Sequence, residues 1–313
     1  MFSASKVAQF AVCNDGTKGI FALGDTCFAI VTTRNKYTYA DCSSTATGVG
    51  AASSASRCGS AAGNSTRGIF ALGNASGRVT TRNKYTYACC TSTACGVGAA
   101  SSASAQGSAT GNATRGIFAL GYTGSGCVTT RNKYTYACCS STASGVGAAS
   151  QSSYAGSAVG NSTRGIFALG FQCCVGRLTV RNKYTYSTCA STASGVGAAS
   201  SASQCGSAAG NATRGIFALG CIVGITSTRN KYTYACCTST ASGVGAASNC
   251  SKRGSAAGNS TRGIFALGCT GGVSTIRNKY TYATCASTAC GVGAASAASR
   301  RGSAASWALC VNV

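Results

Sequence analysis

The sequence predicts an all-β fold, a six-bladed β-propeller built from six 48–50-residue four-stranded repeats, and three observations carry that expectation. Gly-Ile-Phe-Ala-Leu-Gly recurs six times, starting at Gly19, Gly68, Gly116, Gly165, Gly215 and Gly263. Arg-Asn-Lys-Tyr-Thr-Tyr recurs with it, starting at Arg34, Arg82, Arg131, Arg181, Arg229 and Arg277. A fixed period of this length marks one supersecondary unit repeated as a solenoid or as propeller blades. Each unit also holds four strand-sized segments separated by turn residues, and none carries a helix-period apolar stripe. The 43 glycines would make helices costly, at roughly 1 kcal/mol each relative to Ala.

The second unit illustrates the expected strands. Strand A is read at residues 59–63, B at 67–73, C at 79–88 and D at 96–101. Gly63-Asn64-Ser65-Thr66 joins A to B, and Gly and Asn tolerate the positive φ of a tight hairpin. In strand C the period of two puts Asn83, Tyr85 and Tyr87 on one face and Arg82, Lys84 and Thr86 on the other. Strands A and D are nearly all Gly, Ala, Ser and Val, as the crowded centre of a propeller requires. A β-solenoid is the main competitor.

An apolar strand ending in Gly, followed by the Tyr-bearing Arg-Asn-Lys-Tyr-Thr-Tyr strand, resembles the kelch-like propeller repeat over residues 7–303. Kelch blades usually carry Gly-Gly after strand B and Trp after strand C. Here single glycines such as Gly73 and cysteines such as Cys90 stand there, and Asn83 stands where an acid is common. The resemblance therefore implies the fold and no particular activity. One domain spans residues 1–313, with blades at about 7–54, 55–103, 104–152, 153–202, 203–250 and 251–301. Residues 7–14 are expected to be strand A of the first blade. Residues 302–313 are then surplus, a strand that closes this ring or is donated to a neighbouring molecule.

Composition argues against catalysis. There is no His and no Glu, and Asp15, Asp25 and Asp41 are the only carboxylate side chains, so acid-base groups and activated nucleophiles have little to draw on. No cofactor and no metal site are expected. The three aspartates lack calcium-loop spacing and read as solvated turn residues. The formal charge of +23 comes largely from the repeat, as an Arg before strand B in blades two to six and Arg plus Lys within every strand C. Such positive rings attract nucleic acid or acidic polysaccharide, whereas Lys84 and its equivalents stacked on Tyr between blades would spend their charge on the fold.

Of the 22 cysteines, one recurs eight residues after the strand C Arg: Cys42, Cys90, Cys139, Cys189, Cys237 and Cys285. Equivalent positions on adjacent blades are expected to lie too far apart for disulfides, leaving these as small buried apolar residues. Cys90 with Cys95 and Cys285 with Cys290 are candidate local bridges. Free thiols would imply a reducing compartment and bridges export, with an extracellular or cell-surface setting favoured over the cytoplasm. Asn64, Asn112, Asn161, Asn211 and Asn259 begin Asn-x-Ser/Thr sequons, for which hairpin chemistry is the preferred explanation over glycosylation. Residues 1–12 lack a signal-peptide core, and no apolar run is long enough to span a membrane.

The copies differ in two places. Between B and C the variable residues are 25–30, 74–78, 122–127, 171–178, 221–227 and 269–274. Between D and A they are Arg57-Cys58, Ala105-Gln106, Tyr154-Ala155, Gln204-Cys205, Lys252-Arg253 and Arg300-Arg301. In an up-and-down sheet both places fall at the same end. Diversity gathered on one face of a constant scaffold suits recognition of a protein or an anionic polymer, polysaccharide or nucleic acid. The expected contacts are Arg57, Arg78, Tyr122, Tyr154, Phe171, Arg177, Lys252, Arg253, Arg300 and Arg301, since Arg and aromatics dominate hot spots. The alternative is a structural protein that forms a homopolymer through its C-terminal strand.

Overall fold

The structure is a computed structural model and describes residues 17–26 and 28–306. Among these residues there is no helix, and six four-stranded antiparallel sheets repeat along the chain. In the second sheet the strands are Ser60–Gly63 (A), Arg67–Ala71 (B), Arg82–Thr86 (C) and Thr91–Thr93 (D). Their order across the sheet is that of the sequence.

Strand D departs from expectation. It is Thr91–Thr93, not residues 96–101, so the segment read as the C to D connection is itself the strand. The reason is a tight turn after Tyr87 in which Cys90 takes the left-handed conformation, with φ 54. Cys is not a usual turn residue there, so its propensity gives no warning. The six recurring cysteines all hold this turn position and are only partly buried. The chain at 96–101 instead runs along the next sheet, where Gly98 N donates to Cys139 O at 2.7 Å.

The first sheet is completed by the end of the chain. Ser303–Ser306 pairs antiparallel with Lys18–Ala22, with Ala305 opposite Ile20 and Ala304 opposite Phe21. That is the place expected for residues 7–14, which lie outside the described residues. The strand read as surplus therefore supplies strand A of the first sheet in its own chain.

Each pair of neighbouring sheets shares one apolar cluster. Strand B alternates so that Ile69 packs with Phe118, Tyr134 and Tyr136 of the third sheet, while Phe70 packs with Ile20 and Ala305 of the first. The pattern repeats through every sheet, and the sixth packs on the first through Ile264, Ala257, Phe21, Tyr37 and Tyr39. Small residues on strand A let these inner strands approach one another, and Ala62, Ala209, Ala257 and Ala305 are buried there.

The strand C arginines cement the same interfaces. Arg82 is 1% exposed, and its guanidinium lies 4.5 Å from the Phe118 ring centroid of the next sheet. Its Nη1 donates to Ser141 Oγ at 2.5 Å and its Nη2 to Asn132 Oδ1 at 3.1 Å. Asn132 in turn donates to Ser101 Oγ at 2.8 Å. The same contacts recur from Arg34, Arg131, Arg181, Arg229 and Arg277. Arg, not Lys84 and its equivalents, thus lies stacked between sheets; the lysines are half-buried. A planar guanidinium can stack and donate in several directions at once, which an ammonium cannot. Desolvation pushes these guanidiniums down to about 10, so at neutral pH they remain cations among neutral acceptors.

No helix of the described residues is long and apolar enough to cross a membrane.

Candidate functional site

The A to B turns of the second to sixth sheets sit at one end and are nearly identical. Asn64 Oδ1 accepts from Thr66 N and Arg67 N, each at 3.0 Å, and Asn64 Nδ2 donates to Ala113 O of the next unit at 2.9 Å. The sequon asparagines are therefore turn residues, and Asn64, Asn112, Asn161 and Asn211 also bridge units. Arg67 extends the bridge, its Nη1 donating to Tyr136 O at 3.0 Å.

The variable places meet at the other end, where the two residues of each D to A pair have different tasks. The first pairs with the B to C loop of its own sheet: Arg57 with Asn74, Ala105 with Tyr122, Tyr154 with Phe171, Gln204 with Cys221, Lys252 with Cys269, and Arg300 with Asp25. The second turns into left-handed backbone, with φ between 54 and 59 at Cys58, Gln106, Ala155, Cys205, Arg253 and Arg301. In that conformation each N–H reaches the carbonyl of the preceding unit. Cys58 donates to Arg301, Gln106 to Cys58, Ala155 to Gln106, Cys205 to Ala155, Arg253 to Cys205 and Arg301 to Arg253, all at 2.7–2.8 Å. Six residues from six units thus close a cycle of backbone hydrogen bonds, and the same six line one cavity. Gly73 and its equivalents pass directly beneath: at φ +80, a Cβ on Gly73 would lie 2.6 Å from Cys58 O.

The expected contact residues fall into two groups around this cycle. Arg57, Arg300 and Arg301 converge on Asp25 Oδ2 at 3.3–3.4 Å. Asp25 is 7% exposed and joins residues far apart in sequence, which corrects its reading as a solvated turn residue. Asp41 does cap an exposed turn, accepting from Ser43 N at 3.1 Å, while Asp15 lies outside the described residues. Lys252 and Arg253 extend the basic group, and no carboxylate pairs with either among the described residues.

The second group is an aromatic row. The Arg78 guanidinium lies 4.6 Å from the Tyr122 ring centroid, Tyr122 lies 5.7 Å from Tyr154, and Tyr154 lies 5.3 Å from Phe171. Burial pushes the Tyr154 phenol up. Arg177 pairs through its backbone with Phe171 of this row, and its Nη2 donates to Cys221 Sγ at 3.8 Å.

A disulfide that sequence reasoning misses, Cys127–Cys173, ties together the loops that carry Tyr122 and Phe171. It joins non-equivalent positions of two repeats, so no recurring spacing announces it. Cys90, Cys95, Cys285 and Cys290, the candidate local bridges, are free thiols. No group of three or more potential metal ligands occurs among the described residues. The residues of the hydrogen-bond cycle are visible in the sequence as variable residues, but only the structure separates them from their loop-pairing neighbours. No protein-family model matches this chain, and no curated protein is similar to it in sequence.

Proposed function

We propose that the six sheets are the blades of a six-bladed propeller of kelch-like type, and that the chain is a non-enzymatic module binding an anionic polymer on its variable face. Support for the propeller comes from the cyclic order of the apolar clusters, with the sixth sheet on the first, and from the six-membered hydrogen-bond cycle. The binding reading rests on one observation. The two variable places converge: Arg57, Arg300 and Arg301 share the single carboxylate of Asp25, while Lys252 and Arg253 carry charge with no carboxylate partner among the described residues. Excess positive charge at the mouth of a cavity attracts anions and raises their local concentration. The aromatic row beside it adds stacking area for sugar or base rings.

The test is the salt dependence of binding to single-stranded DNA and to a sulfated polysaccharide, immobilised separately. For the DNA, replacing Lys252, Arg253, Arg300 and Arg301 by Ala should weaken binding and flatten the logarithmic salt slope by about 3, at roughly 0.7 for each phosphate no longer neutralised. Retained affinity and slope in that variant would sink the proposal, as would failure of the parent protein to bind either polymer.

A further inference from the structure

The axial cavity is asymmetric in charge although its backbone is nearly six-fold. It measures about 70 Å³, room for several water molecules, and opens to solvent. Four of the six equivalent positions carry neutral side chains, Cys58, Gln106, Ala155 and Cys205. The remaining two, Arg253 and Arg301, are neighbours in the hydrogen-bond cycle. Two arginines therefore line one small cavity as neighbours in the cycle. Arg301 shares Asp25 with two other arginines, and Arg253 has no carboxylate partner among the described residues. Burial holds the Arg301 guanidinium below its ordinary range, and the charge of Arg253 adds to that effect. Like charges this close, with partial desolvation, are unfavourable until an anion sits between them. The backbone around them is fixed by the cycle, so little ordering remains for a ligand to impose.

We propose that this cavity is a site for one dianionic tetrahedral group, a phosphate, free or as a monoester, held end-on between Arg253 and Arg301. The site deepens the anionic-polymer reading and rests on the variable face being the binding face. Charge selects the class: two cations match the dianion of a phosphate monoester better than the single charge of a carboxylate. Guanidinium forks match phosphate oxygens geometrically, and the Gln106 amide across the cavity is a neutral donor. The group can belong to free phosphate, to the end of a nucleic acid or to a phosphorylated sugar.

The repeat supplies variants that the fold already accepts. Gln106 occupies the position equivalent to Arg253 at nearly the same φ, 58 against 59, so Arg253→Gln removes the charge without a new backbone demand. Conversely, Ala155→Arg places a third guanidinium on the cavity. Inorganic phosphate, titrated into the full chain by calorimetry at low salt, should saturate at one per chain and bind at least ten-fold tighter than acetate. Arg253→Gln should weaken it ten-fold or more, Ala155→Arg should tighten it, and Lys84→Gln, a charge removed elsewhere, should weaken it less than about two-fold, through the general field alone. Equal affinity for acetate, or an unchanged affinity in Arg253→Gln, overturns the site. A 5′-phosphorylated oligonucleotide and a hexose phosphate, each compared with its unphosphorylated form, identify the carrier; if neither exceeds inorganic phosphate, the ligand is the free ion. Should single-stranded DNA or sulfated polysaccharide bind with steep salt dependence while phosphate does not saturate, the axial site falls and the face reading stands. If the polymers fail as well, both fall.

Discussion

Arg131 tests what holds neighbouring sheets together. Its guanidinium is buried, 4.4 Å from the Phe167 ring centroid, and donates to Ser191 Oγ at 2.5 Å and to Asn182 Oδ1 at 3.1 Å. Burial pushes it from 12.5 down to about 10, a cost of about 3 kcal/mol for keeping the charge inside. Against this stand its two shortest hydrogen bonds, both charge-assisted and roughly 1.5–3 kcal/mol each, and a desolvated stack of about 2 kcal/mol, with longer bonds to Gly147 O and Ala148 O at 3.4 and 3.3 Å left uncounted. These interactions outweigh the desolvation by roughly 2–5 kcal/mol. Arg131→Met keeps the stem and sheds both the charge and its cost, so it should destabilise by roughly 2–4 kcal/mol. Arg131→Lys keeps a buried cation but cannot stack or reach both acceptors, and should lose about 1–2 kcal/mol more than Met. Equilibrium urea unfolding followed by the tyrosine signal gives the order directly. A Lys variant as stable as the parent, or more stable than Met, would refute the argument that the planar fork rather than the charge is what matters.

Three further outcomes are expected. Reducing Cys127–Cys173, or replacing Cys127 by Ser, opens a loop with sequence separation 46, for which chain entropy gives an upper figure of about 4 kcal/mol; unfolding with and without reductant measures it, and identical midpoints would count against a stabilising role. Alkaline stability should fall above pH 10. Burial raises the phenols of Tyr37, Tyr85, Tyr87, Tyr134, Tyr136, Tyr184, Tyr232, Tyr280 and Tyr282 above their unfolded value of 10, so the unfolded chain loses those protons first and is favoured as pH rises. The six buried guanidiniums, depressed instead, pull the other way but are fewer, so a rising unfolding midpoint between pH 10 and 11.5 would contradict the balance. Hydroxyl hydrogen bonds from Thr91, Ser140 and Thr238 lower the exposed thiols of Cys89, Cys138 and Cys236. Peptide mass mapping after brief maleimide labelling at pH 7 should find these three modified before the partly buried Cys42, Cys90 and Cys139, and the reverse order would be evidence against it.

The repeat, the B and C strands and the A to B turns are legible in the sequence because each rests on local chemistry: alternation, Gly-Asn turns and a fixed period. Strand D is not, because its turn depends on a left-handed Cys, which no propensity favours. Residues 302–306 look like strand A in composition, but a strand pairing across most of the chain length is not a local property. The end of the sheets where variability gathers follows from counting antiparallel strands, and the structure places both variable segments together there. Asp25 escapes sequence reasoning because its partners Arg57, Arg300 and Arg301 are distant along the chain, and isolated spacing carries no information about them.

The net charge divides into parts with different tasks. Of the 26 Lys and Arg, six are the buried strand C arginines, and five more, from Arg67 to Arg262, donate to a tyrosine carbonyl of the next sheet. Those eleven charges serve the packing of one repeat on the next and recur because the packing recurs. Among the described residues, the basic charges present in some copies and absent from others are Arg57, Arg78, Arg177, Lys252, Arg253, Arg300 and Arg301, all at the variable end. A cation fixed by the repeat cannot distinguish one side of the molecule from another, whereas Arg253 and Arg301 break the symmetry of the hydrogen-bond cycle. If the protein selects a ligand by charge, that selection rests on these seven residues, and replacing the strand C lysines should lower affinity only through the general field, an effect that vanishes at about 0.15 M salt, where screening acts over about 8 Å.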